Sequence, residues 1–160
     1  GVLMVEVMEP TDFVARVEFT VAGRVIPEPA RFMNRDVDFA LDMFSLEPLR
    51  ASAVQATWRC QPRTIDQRVT LHREALVDGR VTDRFHVLRT TLTGRSPWRA
   101  HGFTVLLVVE GSCDIATAHE KASLSQFDRI VVPHGLDALD ITSQNGVVLL
   151  ECLPPGTATQ

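Results

Sequence analysis

FTVLLVVEG (Phe103–Gly111) is an apolar run rich in β-branched residues and closed by a Glu-Gly turn signal. Runs of this length and composition bounded by glycine read as strands rather than helices. The same pattern recurs around it in FHVLRTTLTG (85–94), CDIATAHE (113–120), FDRIVVP (127–133) and NGVVLLECLPP (145–155), with Gly79, Gly94, Gly111, Gly135 and Gly146 as punctuation. Regularly spaced short strands predict a sandwich or barrel. TIDQRVTLHREAL (64–76) begins the series, so a barrel is expected over 63–153, followed by a frayed tail, PPGTATQ, over 154–160.

Towards the N-terminus the pattern changes. NRDVDFALDMF (34–44) spaces Val37, Ala40, Leu41 and Phe44 as one face of a helix, with Asn34 as N-cap, Asp36 near the positive helix end and Pro48 as a stop. One amphipathic helix is therefore expected within a segment 31–62 that also serves as linker. VLMVEVME (2–9) reads as a strand buried on both faces, PTD (10–12) as a turn, and FVARVEF (13–19) as a second strand, within a segment 1–30. If the pairing is centred on Thr11, Glu6 and Arg16 are direct cross-strand neighbours, roughly 5 Å apart at Cβ.

Composition narrows the function. A chain of 160 residues with 45% hydrophobic content can bury a core. Sixteen basic and twenty acidic residues give a net charge of −4, with no basic run to meet nucleic acid or anionic lipid, so neither partner is expected. Cys60, Cys113 and Cys152 are odd in number and widely separated, which signals neither a disulfide framework nor a zinc ribbon and points to a reducing cytoplasm. The apolar start is too short to span a membrane and has no basic leader.

The strand series, the Glu-Gly turn and the Pro133-x-Gly135 triplet resemble the cupin barrel. That resemblance implies a His-x-His pair, a Glu and a later His as metal ligands. Here Trp98 and Ala100, or Ala100 and Gly102, stand at the paired positions, Thr104 at the Glu position, Ala138 at the last, and Phe127 replaces the opening glycine of the second motif. A first-row metal site needs about three converging imidazoles or carboxylates. No metal ligand is assigned in this chain. His72, His86, His101, His119 and His134 are scattered and read as ordinary surface or partly buried residues.

GVLMVEVMEPTDFVARVEF (1–19) adds a second likeness. Glu6, the Thr11-Asp12 turn and Arg16 ten positions after the Glu resemble the end of the catalytic cupin domain of type I mannose-6-phosphate isomerases. RFMNRDVDFALDMF (31–44) resembles that family's helix, and the degenerate barrel ending in Pro154-Pro155 its last domain. Ala15 stands where the family commonly has Tyr. The resemblance implies a mainly β chain: a hairpin completing the catalytic cupin domain, one amphipathic helix and a metal-free, cupin-like jelly-roll barrel.

It also implies a role for each residue. Aldose–ketose isomerisation moves a proton between neighbouring carbons through an enediol, and needs a base, an electrophile and a cation for the developing charge. Glu6 is the acid–base candidate and Arg16 the contact to substrate charge, suited by its planar fork. The alternative for this pair is a cross-strand ion pair alone, which is weak evidence for stability when buried. Asp12 shapes the turn. The family's metal ligands all precede Gly1, so the expectation is the C-terminal part of a zinc-dependent mannose-6-phosphate isomerase, inactive and metal-free by itself, whose parent takes a small phosphosugar. The other reading is a non-catalytic cupin-like sugar-binding or oligomerisation module, with the apolar edge at 2–8 favouring self-association.

Overall fold

LHREALV places Leu71, Arg73 and Ala75 on one side of a strand and His72 and Glu74 on the other, and the computed structural model forms that strand. The model describes residues 4–8, 14–100, 102–136 and 138–156. The chain divides into two compact units, one ending at Arg59 and the other beginning at Cys60.

The second unit contains β3 (Arg63–Gln67), β4 (Leu71–Val77), β5 (His86–Trp98), β6 (Thr104–Ala116), β7 (Lys121–Ser125), β8 (Arg129–Val132) and β9 (Leu139–Leu153). They form one antiparallel sheet in the order β3-β4-β5-β9-β6-β7, with β8 paired to the first part of β6. Strand β9 lies between β5 and β6 along most of its length.

The three long strands shift register at glycines. The β5–β9 register changes between Leu92 and Gly94, and that of β6–β9 between Gly111 and Asp114. Gly94, Gly111 and Gly146 all have positive φ, a conformation that costs a residue with Cβ. At Gly111 the need is also spatial, because an added Cβ would lie 2.2 Å from the Gly146 carbonyl oxygen. Beyond this crease β6 exchanges β8 for β7 as its neighbour.

Both parts of the sheet contribute to one apolar core. Leu92, Leu106, Val108 and Leu149 come from one side of the crease, and Trp98, Ile115, Leu124 and Ile141 from the other. Phe127 occupies left-handed φ of +75° and donates its N–H to Val108 O, so the position expected to hold glycine keeps a glycine-like backbone.

The first unit contains β1 (Thr20–Val21), β2 (Arg24–Val25), α1 (Glu28–Arg31), α2 (Val37–Asp42) and α3 (Ala51–Thr57). The expected helix forms as α2, shorter than the 34–44 stretch, and α1 and α3 lie on either side of it. Asp36, rather than Asn34, caps α2: its Oδ1 accepts the Phe39 N–H at 2.9 Å, while Asn34 takes a left-handed φ of +59°. The expected N-terminal hairpin also differs. Residues 4–8 and 14–18 carry no strand, Met4 and Met8 are exposed, and the hairpin that forms joins β1 to β2. The turn residues Thr11 and Asp12 lie outside the described residues.

A competing contact accounts for the path of 14–18. The Arg16 N–H donates to Arg31 O at 2.7 Å, while Arg31 Nε and Nη2 donate to the carbonyls of Arg16 and Val17. The buried Arg31 guanidinium also lies 4.0 Å from the Phe19 ring centroid.

Candidate functional site

Glu6 and Arg16 are both exposed and outside strands. Arg16 is held through its backbone, and no side-chain ion pair joins it to Glu6 among the described residues. The described structure therefore does not contain the cross-strand pair predicted for them.

A different set of polar side chains converges inside the barrel. Strand alternation turns Arg73 of β4, Thr90 of β5 and Glu151 of β9 to the core side, and the ladder sets Arg73 directly opposite Thr90. Glu151 is fully buried and carries three donors: Arg73 Nη2 on Oε2, and Thr90 Oγ1 and Trp98 Nε1 on Oε1, the last at 3.1 Å. The Arg73 guanidinium lies 5.5 Å from the Trp98 ring centroid. A buried carboxylate is tolerated only when paired and hydrogen-bonded in this way.

This network borders a cleft of about 280 Å³ lined by Ile65, Asp66, Arg68, Leu71, Arg73, Pro97, Trp98 and Arg99. The turn from β3 to β4 supplies Arg68, with its N–H bonded to Leu71 O, and the end of β5 leads into Arg99. Arg68 is clamped against Asp66 by Nε and Nη2, and its Nη1 reaches Pro97 O at 3.3 Å. Arg99 is exposed and has no ion pair among the described residues.

A second buried carboxylate, Asp78, closes the end of β4. Arg80 Nε at 2.7 Å, the Arg80 N–H at 3.1 Å and Arg63 Nη2 at 3.2 Å all donate to it. The Arg80 hydrogen bond, opposed by burial, lowers its pKa to about 2. Cys113 is the reverse case: burial, with Asp114 nearby, pushes its thiol up to about 11. Burial and then Glu151 raise Cys152 as well.

With this geometry the chain can be compared with known proteins. No family model matches the sequence, and no curated protein matches it. Among solved structures, mannose 6-phosphate isomerase from Bacillus subtilis is 16% identical, with a TM-score of 0.54 over 72% of this chain and 33% of its own. The fold is cupin-like. EutQ from Clostridium difficile, also 16% identical, superposes with a TM-score of 0.50 over 55% of this chain and 70% of its own. A cupin superfamily protein from Desulfitobacterium hafniense is 17% identical, with a TM-score of 0.45 over 69% of this chain and 93% of its own. This chain thus spans a third of the length of the isomerase it resembles.

The inner wall of this cupin-like barrel does not fit zinc. Zinc takes about four His, Cys or carboxylate donors. Trp98 instead points its N–H at Glu151, Thr104 Oγ1 is bonded to Gly102 O at 3.1 Å, and Ala138 is exposed. Glu151 is already bound by a guanidinium, which repels a cation at the same point. Among the described residues no three His, Cys, Asp or Glu side chains are grouped to hold a metal ion.

Sequence inspection missed Arg73, Thr90 and Glu151. A signal was available: Arg73 alternates in phase with Leu71 and Ala75, and Glu151 with Leu149 and Leu153, so each charge falls on the apolar face of its strand.

Proposed function

We infer that this chain is part of a larger phosphosugar isomerase of the mannose-6-phosphate isomerase type, and that its cupin-like barrel is a non-catalytic domain. The observation that carries this reading is the Arg73–Glu151–Thr90–Trp98 network, which occupies the barrel interior with a carboxylate already hydrogen-bonded on both oxygens and, among the described residues, no ligand set. The chemistry then belongs to another part of the protein, and zinc to that part. The exposed Met4, Met8, Phe19, Leu46 and Trp58 of the first unit support the same reading, since apolar surface of this kind favours further protein contact. In this proposal Glu6 performs acid–base work on the sugar carbons, Arg16 meets the phosphate or the enediolate oxygen, and the protein is cytoplasmic, consistent with three free cysteines.

The test joins the chain to the coding sequence upstream of it and assays conversion of mannose 6-phosphate to fructose 6-phosphate. Turnover that falls about a hundredfold or more in Arg16→Ala and in Glu6→Gln, at unchanged Tm, is the expected result. No turnover by the extended protein, or normal rates in both variants, rejects the reading.

The Arg-lined cleft favours a second reading, a non-catalytic cupin-like module that binds a sugar derivative or assembles with a further copy. In that case the extended protein is inactive while the isolated chain still binds its ligand.

A further inference from the structure

We propose that the cleft between the β3–β4 turn and the end of β5 binds a small oxyanion-bearing molecule, a phosphate ester or carboxylate of about sugar size. The cleft would do so in either reading of the chain, because every residue that forms it lies in the second unit.

Charge carries the argument first. Arg68, Arg73 and Arg99 line the cleft against one lining carboxylate, Asp66. Asp66 neutralises Arg68, and Glu151 neutralises Arg73 from behind. Among the described residues Arg99 has no carboxylate partner, so the described wall of the cleft carries a net positive charge on a chain whose net charge is −4. Guanidinium forks recognise carboxylate and phosphate through paired N–H donors.

Preorganisation is the second argument. Arg73 is buried and fixed by Glu151, while Arg68 is fixed on one side by Asp66 and on the other by Pro97 O. Neither has to surrender much side-chain entropy to meet a ligand, which lowers the cost of binding. Size is the third. A volume of about 280 Å³ lies at the small end of ligand pockets, and Trp98, Ile65, Leu71 and Pro97 supply apolar surface for the body of the ligand.

The experiment uses this chain with Trp58→Phe, which removes the exposed indole and leaves Trp98 as the sole fluorescent reporter. Inorganic phosphate, gluconate and glucose are titrated separately. A saturable change with phosphate or gluconate, absent with glucose and weakened about tenfold by Arg99→Gln, is expected. A phosphate response points to a phosphate-bearing ligand, and a gluconate response to a carboxylate. Arg68→Gln should weaken the same signal, and added salt should reduce it. No saturable response to either anion, or equal binding by Arg99→Gln with its folded spectrum intact, overturns the assignment. Binding is read on this chain without any activity assay, so it can fail independently of the isomerase reading.

Discussion

Glu151 and Arg73, 78 residues apart in sequence, form an ion pair inside the barrel, with Thr90 and Trp98 occupying the other carboxylate oxygen. Removing one partner of such a pair strands the other charge in the core, whereas replacing both with apolar groups of similar size removes the problem. Glu151→Leu and Arg73→Met should therefore each cost about 3–5 kcal/mol in urea unfolding, and the double variant much less than their sum. Additive losses would show that the two residues do not act as a pair.

The crease makes a second prediction. Gly111→Ala places a methyl group against the Gly146 carbonyl and retains a φ of +76°, so stability should fall by roughly 2 kcal/mol or more. Phe127→Gly should act in the opposite direction and raise Tm, since an exposed side chain is removed and the left-handed backbone is relieved by up to about 1 kcal/mol. Thermal melts of both variants check the pair, and a lower Tm for Phe127→Gly would mean that its ring contributes packing.

Thiol reactivity distinguishes the three cysteines. Cys60 is exposed, whereas burial pushes the Cys113 thiol up to about 11 and raises that of Cys152. Because the thiolate is the reacting species, a native chain at pH 8 should show one fast thiol towards an aromatic disulfide reagent and two more only after unfolding. Cys60→Ser should abolish the fast phase. Rapid modification of Cys113 in the native state would contradict its burial.

Asp78 sets an acid limit. Its folded pKa of about 2 lies below the ordinary 3.8, so its contribution is complete above about pH 4 and disappears as the pH falls through 2. Stability measured by urea across that window should decline less steeply in Asp78→Asn than in the parent chain. Equal slopes would remove the Arg80–Asp78 pairing as a source of the pH dependence.

Much of the barrel could be read from local signals. The apolar runs in FHVLRTTLTG and FTVLLVVEG marked β5 and β6, because pleat period is a property of a few neighbouring residues, but Gly94 and Gly111 lie inside those strands at register shifts rather than at their ends. Phe127, which replaces the opening glycine of the cupin-like pattern, takes a left-handed φ of +75°, a demand the sequence did not announce.

The N-terminal region shows where local signals stop. A ten-residue spacing suggested that Glu6 would face Arg16, but the Arg16 backbone is engaged by Arg31. Nothing within residues 1–19 announces that contact. The sequence by itself determined, through alternation, that Arg73, Thr90 and Glu151 share a strand face with their apolar neighbours. Only the tertiary structure decided that these three meet, because face is set by alternation along one strand, whereas neighbours are set by the β4-β5-β9 order and register. Once those strands pair, the cost of burying charge away from water requires Arg73 and Glu151 to satisfy one another.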